Sequence, residues 1–155
     1  MTNFLLSKSK SYDSKTDFAI LILRVGFSFF MFHHGYEKLQ NLLAGSTDFP
    51  DPLHVGIKVS MGLTIFAEFF CSILLILGLF TRLALIPLII CMLVIIFVVS
   101  AGESLGDREH AIMYLIAYIA LFLTGAGKFS IDCKLLKWFT TLDIKVSNTK
   151  HVKLW

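Results

Sequence analysis

Six side chains within or beside the apolar stretches of this sequence could bind or protonate a small molecule. They are Arg24, His34, Lys38, Glu68, His110 and Tyr114. A charged group at the centre of a bilayer costs roughly 2.5–3.5 kcal/mol on insertion scales, so Arg24 and Glu68 each need a partner or a function. They are the obvious couple, although their different depths leave direct pairing open. Glu68 suits proton transfer, and the cations Arg24 and Lys38 suit a negative ligand or a reduced quinone.

Three of the predicted helices carry one polar stripe each, because residues three or four apart share a helix face. The first stripe contains Arg24, Ser28, Met31, Gly35 and Lys38, with His34 at its edge. The second contains Met61, Thr64, Glu68 and Ser72, and the third contains His110, Tyr114 and Tyr118. Converging stripes predict an outward-opening pocket. In the alternative interpretation, Arg24 and Glu68 only cross-link helices and the tyrosines anchor at the membrane interface.

The elements that must position these residues are membrane helices. The sequence is 56% hydrophobic and 16% charged, against roughly 45–50% and about 25% in soluble domains. Four apolar blocks predict an all-α, integral membrane four-helix bundle over residues 18–128. The helices are expected at about 18–38, 59–80, 83–102 and 110–126. The link Phe80-Thr81-Arg82 is so short that the second and third helices must be antiparallel neighbours, and Thr81 is the predicted N-cap of the third.

The basic residues predict the orientation of the chain. By alternation, most lysines and Arg82 share the side of the N-terminus, and only Lys38, Lys58 and Arg108 fall opposite. Short loops rich in Lys and Arg stay in the cytoplasm, so both termini are expected inside. Residues 1–17 would form a cytoplasmic tail, and residues 129–155 an interfacial amphipathic helix followed by a tail. The net charge of +3 is then explained by basic residues along one membrane face, where anionic lipid headgroups attract them. No nucleic-acid partner is expected.

Neither the cysteines nor the histidines form a recognisable metal or redox motif. Cys71, Cys91 and Cys133 lack a C-x-x-C spacing and are interpreted as inert buried thiols. No metal site is predicted. If a metal or haem were bound, His34 and His110 would be its foremost ligands.

Several short motifs together resemble the DoxX family of small bacterial membrane proteins with four helices. In the first helix they are Leu23-Arg24-Val25-Gly26 and His34-Gly35-Tyr36-Glu37-Lys38-Leu39. Glu68 and the run from Leu77 to Arg82 follow in the second, then Tyr114 and the segment from Gly125 to Asp132. The resemblance covers about residues 18–133 and implies a multi-pass protein of the bacterial inner membrane. It also implies an association with redox enzymes, since relatives include the membrane subunit of thiosulfate:quinone oxidoreductases.

The leading hypothesis is a redox-associated accessory subunit with an outward-facing polar pocket for a quinone or small anion. Glu68 would carry the proton, and Arg24, His34, Lys38, His110 and Tyr114 would contact the ligand. The chain has no cofactor motif, so it is not expected to be a self-sufficient enzyme. A second membrane or periplasmic subunit is the expected partner, and a homo-oligomer is an alternative. The rival functions are a structural or assembly subunit of a larger complex and a small-solute carrier.

Overall fold

The structure is a computed structural model that describes residues 13–46 and 48–138. Over these residues its regular secondary structure is all helical, without strands. The long helices are α1 (Ser14–Leu43), α2 (Ile57–Leu77), α3 (Thr81–Val99) and α4 (Leu105–Thr124). Residues 131–138 are also helical. The predicted N-terminal tail up to residue 12 and the C-terminal segment from residue 139 onward lie outside the described residues.

Three helices of the described chain are long and apolar enough to cross a membrane: α1, α2 and α3. Helix α4 has 20 residues, which is a sufficient length. Its first turns, however, hold Asp107, Arg108 and Glu109. The predicted fourth span therefore stays a prediction.

Helix α1 begins earlier and ends later than the apolar pattern predicts. The Asp13 side chain caps it by accepting a hydrogen bond from the Ser14 amide at 2.9 Å. Asp17, which the pattern places before the helix, instead lies inside its first turn and is only 2% exposed. Its carboxylate accepts a hydrogen bond from the Lys128 amide at 3.0 Å. The buried charge of Asp17 is thus stabilised by a backbone amide that lies 111 residues away in the sequence.

The tight turn between α2 and α3 is capped from another part of the chain. Gly78 and Phe80 both adopt left-handed backbone angles, with φ of 67° and 48°. The Asp132 carboxylate accepts hydrogen bonds from the amides of Phe80 at 2.7 Å and Thr81 at 3.0 Å. The prediction that Thr81 caps α3 is wrong, because Asp132 binds the orphan amides at this helix start.

Two π-helical turns interrupt the regular helices. One covers Phe66–Cys71 in the middle of α2, and the other covers Ile95–Val99 at the end of α3. A π turn inserts an extra residue into the helix and rotates the faces on its two sides relative to each other. The first of these turns contains Glu68, so the π turn determines which way this carboxylate points.

The helices pack around a core that includes Leu75, Leu85, Leu88, Tyr118 and Leu121, each fully buried. After α4 the chain reaches the start of α3, where Asp132 lies, so α4 runs back alongside α3. We call the end of the structure that holds the start of α1 the proximal end. The opposite end, where α1 and α3 finish, is the distal end.

Candidate functional site

The centre of the candidate site is an ion pair between α1 and α2 near the distal end. The Lys38 ammonium donates to Oε2 of Glu68. The Glu68 side chain is 2% exposed, whereas that of Lys38 is 28% exposed. A buried carboxylate is thus neutralised by a cation that still reaches the surface. We call these two residues, with Cys91, Tyr114 and His34, the distal site.

A close backbone approach brings the two charges together. Gly35 of α1 lies directly against the π turn of α2. A Cβ atom at this position would lie 2.5 Å from the Phe69 nitrogen and 2.7 Å from the Glu68 carbonyl carbon. Glycine is therefore the residue that fits here. Lys38 follows Gly35 by three residues, so it shares the face that looks toward Glu68.

Helix α3 contributes a thiol to the same carboxylate. Cys91 Sγ lies 3.8 Å from Oε1 of Glu68, within the range of a weak S–H hydrogen bond. The sequence interpretation treated Cys91 as inert and assigned no polar stripe to α3. The available signal was that Cys91 is the one titratable side chain in that apolar block.

The aromatic members of the site lie toward α4. The Tyr114 ring packs edge-on against Phe27 at 5.5 Å and against His34 at 6.5 Å between ring centroids. Its phenol, like that of Tyr118, lies within electrostatic range of Glu68. His34 is exposed, and its neighbour His33 faces Glu37 instead, with 3.3 Å between Nε2 and Oε1.

A largely apolar groove of about 530 Å³ runs between α1 and α4 beside these aromatic residues. Its lining is Ala19, Ile22, Leu23, Gly26, Phe27, Phe30, His110, Met113 and Tyr114. His110 and Tyr114 are the only lining residues with strong polar atoms, and they lie toward the distal part of α4. The groove is thus apolar along most of its length and polar at His110 and Tyr114.

Arg24 is not brought together with the other predicted site residues. Its guanidinium is 1% exposed and donates to the carbonyls of Ala126 and Phe129, both at 2.7 Å. It also lies against Gly78, where any side chain would overlap the guanidinium. Asp132 is close enough to interact with it electrostatically.

We call Asp17, Arg24 and Asp132, with the backbone groups that they bind, the proximal junction. All three charges are at most 2% exposed. Asp17 binds the Lys128 amide, Asp132 binds the start of α3, and the Asp132 amide donates to the Gly78 carbonyl at 2.9 Å. The junction joins α1, the α2–α3 turn and the segment after α4. The sequence pattern indicated none of these contacts, since each joins residues far apart in the chain.

The described residues contain no group of three His, Cys, Asp or Glu side chains that could hold a metal ion. His34 and His110 both lie near Tyr114. The His34 ring contacts the Tyr114 ring, and His110 lines the groove together with Tyr114. These two imidazoles are therefore available as hydrogen-bond partners for a ligand.

One comparison with known proteins gives a match. The model of the DoxX family matches residues 19–101, which is more than half of the chain. This match includes all but the first turn of α1 and all of α2 and α3, and therefore the whole Lys38–Glu68–Cys91 group. The resemblance that the sequence motifs predicted is confirmed. No curated protein and no solved structure matches the chain.

Proposed function

The chain belongs to the DoxX family of membrane proteins, and we propose that it is an accessory subunit of a redox system, with the distal site binding a quinone or a small anion. The observation that carries the proposal is the Lys38–Glu68 pair. A fully structural pair could be closed off on both sides, but here Lys38 is partly exposed and the Cys91 thiol lies 3.8 Å from the second oxygen of Glu68.

The proposed topology places the distal site outside the cell. In this proposal α4 is a fourth span, so that the chain forms a four-helix bundle in the bacterial inner membrane. Both termini would lie in the cytoplasm, as the excess of lysine on the proximal side favours. The direction of α4, which returns to the start of α3, supports the fourth crossing.

Ligand binding would use the ability of the ion pair to separate. A negative ligand, or the oxygen of a reduced quinone, would take the place of the Glu68 carboxylate beside the Lys38 ammonium. Glu68 would then be a buried carboxylate without a counter-ion, which strongly favours the uptake of a proton. Proton gain and ligand binding would thus be coupled at one residue.

The groove between α1 and α4 suits the apolar part of a quinone. Its lining is mostly aliphatic and aromatic, and His110 and Tyr114 provide hydrogen bonds for a polar head. Arg24 has a different role in this proposal. Both terminal nitrogens of its guanidinium already bind carbonyls at the proximal junction, so we assign it to the fold and not to the ligand.

The test is a binding measurement with a short-chain ubiquinone on the full chain in lipid nanodiscs. Glu68→Gln and Lys38→Met are expected to abolish binding. Glu37→Gln is the matched control, because Glu37 is exposed, adjacent to Lys38 in sequence, and pairs with His33. Binding of phosphate and of sulfate, measured in the same way, distinguishes a site for small anions from a site for quinones.

Two results would overturn the proposal. One is binding that is equal in the wild type and in Glu68→Gln. The other is a gentle purification that always brings one protein partner while the wild type binds neither quinone nor anion, which would favour the structural or assembly subunit.

A further inference from the structure

Seven buried side-chain N and O atoms of the described residues, two of them the Nε atoms of Arg82 and Arg108, lack a hydrogen-bond partner. The other five belong to residues between the distal site and the proximal junction or at the edge of that junction. They are Tyr118 Oη, Ser72 Oγ, Ser28 Oγ, Arg24 Nε and Thr81 Oγ1. Each of these residues is at most 1% exposed. Buried polar groups in proteins are almost always satisfied by protein or by ordered water.

Two contacts fix the depths of these atoms. Gly35 lies against Glu68 and Phe69 at the distal site, and Gly78 lies against Arg24 at the proximal junction. At 1.5 Å per residue, Ser28 is about 10 Å from the level of Gly35 and about 6 Å from that of Arg24. Ser72 is about 6 Å from the level of Glu68 and about 9 Å from that of Gly78. Both serines therefore lie between the two charged groups.

Tyr118 extends this row from the side of α4. Its ring lies 5.9 Å from that of Tyr114, and its phenol is within electrostatic range of both Glu68 and Cys91. Thr81 lies at the opposite end, where Asp132 accepts a hydrogen bond from its amide. The row thus begins beside Glu68 and ends at the proximal junction.

We propose that these groups hold a file of bound water that runs inside the packed helices from Glu68 to Arg24. Bound water typically makes about three hydrogen bonds to buried polar groups, which these hydroxyls and the Arg24 Nε would supply. The fixed charge of Arg24 closes the proximal end to protons, as a cation does in pores that exclude them. Glu68 then has bound water on its buried side that does not depend on the distal opening.

A dry interior is the competing arrangement. A serine hydroxyl in a helix can rotate to bind the carbonyl four residues earlier, which would satisfy Ser28 and Ser72 without water. The phenol of Tyr118 stands at the end of a rigid ring and cannot reach the backbone of its own turn. Tyr118 is therefore the residue that distinguishes water from a dry interior.

The experiment is radical footprinting, in which a brief X-ray pulse splits water beside each residue, on the full chain in lipid nanodiscs. Tyr118 is expected to be modified faster than Phe29 by at least an order of magnitude. Phe29 follows Ser28 directly, lies at the same depth and points away from the core with 61% exposure. If both rings are modified equally slowly, the interior is dry and the water file does not exist.

A variant then locates the water. Ser28→Ala with Ser72→Ala is expected to lower Tyr118 modification severalfold. Thr64→Val is the control, because the Thr64 hydroxyl already binds the Ser60 carbonyl at 2.9 Å, and it should leave the rate unchanged. The wild-type result decides the proposal even if the double variant does not fold. Neither measurement involves a quinone or an anion, so the outcome is independent of the proposed function.

Discussion

The distal site and the proximal junction bury similar charges in different ways. At the proximal junction each charge binds backbone groups: Arg24 binds two carbonyls, and Asp17 and Asp132 bind amides. At the distal site Lys38 and Glu68 bind each other. A backbone group cannot move away without unfolding its segment, whereas a side chain can rotate. The comparison indicates that the proximal charges maintain the fold and that the distal pair is free to exchange partners.

The largest expected effect is at the proximal junction, from Arg24→Met. The change removes the two hydrogen bonds that Arg24 donates to the carbonyls of Ala126 and Phe129, each worth about 1.5–3 kcal/mol for a bond to a charged group. We expect a large fall in melting temperature in detergent or a failure to accumulate in the membrane. Lys128→Met is the control, because only the amide of Lys128 takes part in the junction. If Arg24→Met melts like the wild type, the junction does not maintain the fold.

The next effect is expected from Gly35→Ala at the distal site. The added methyl group would overlap the backbone of the π turn, and overpacking of this kind costs about 1–3 kcal/mol. It should also separate Lys38 from Glu68, so ligand binding should fall together with the melting temperature. Gly62→Ala on α2 is the control, because a Cβ atom there meets nothing within 4 Å and Gly62 does not line the groove. Equal behaviour of the two variants would mean that no close approach positions the pair.

A smaller change in stability is expected from Glu68→Gln. The amide keeps the shape of the side chain, and the freed Lys38 ammonium is partly exposed and can turn toward water. We expect the melting temperature to fall by much less than in Arg24→Met while binding is lost. A loss of stability as large as that of Arg24→Met would erase the distinction between the two regions.

The smallest effect concerns the exposed loop before α2. Asp51 accepts hydrogen bonds from the Ser60 hydroxyl and from the amides of Val55 and Gly56. These bonds, the Ser60 bond foremost, hold the pKa of Asp51 below its usual value. Their stabilisation is therefore present above the unfolded pKa and is lost as the pH falls through the folded one.

Hydrogen exchange checks this loop prediction. Below the pKa of Asp51, the Val55 and Gly56 amides should exchange faster than the intrinsic pH dependence of amide exchange predicts. Asp51→Asn should remove that extra pH dependence, and Asp48→Asn should keep it. An unchanged profile in Asp51→Asn would show that the carboxylate does not order the loop.

The polar stripes illustrate how far sequence reasoning reaches. The stripe on α1 correctly placed Lys38 on the face of Gly35, because the helix is regular there. It also placed Arg24 on that face, yet fourteen positions separate Arg24 from Lys38, and the two residues belong to different ends of the molecule. A helical wheel gives the direction of a side chain and omits its depth.

The π turn in α2 shows a second limit. The stripe through Glu68 and Ser72 was derived for a regular helix, and the extra residue in Phe66–Cys71 changes the phase within it. Glu68 still faces Lys38, but it also contacts Cys91 of α3, a helix that the pattern left outside the site. No composition signal marks a π turn in an apolar run.

By itself, the sequence determined that the chain is helical, that several helices suit a membrane, and that it belongs to the DoxX family. Those properties follow from local hydrophobicity and from short motifs. The tertiary structure alone decided which charge meets which partner. Arg24 binds the segment after α4 and Asp132 caps α3, because such pairings depend on how helices rotate and slide against one another, and no local pattern records that relation.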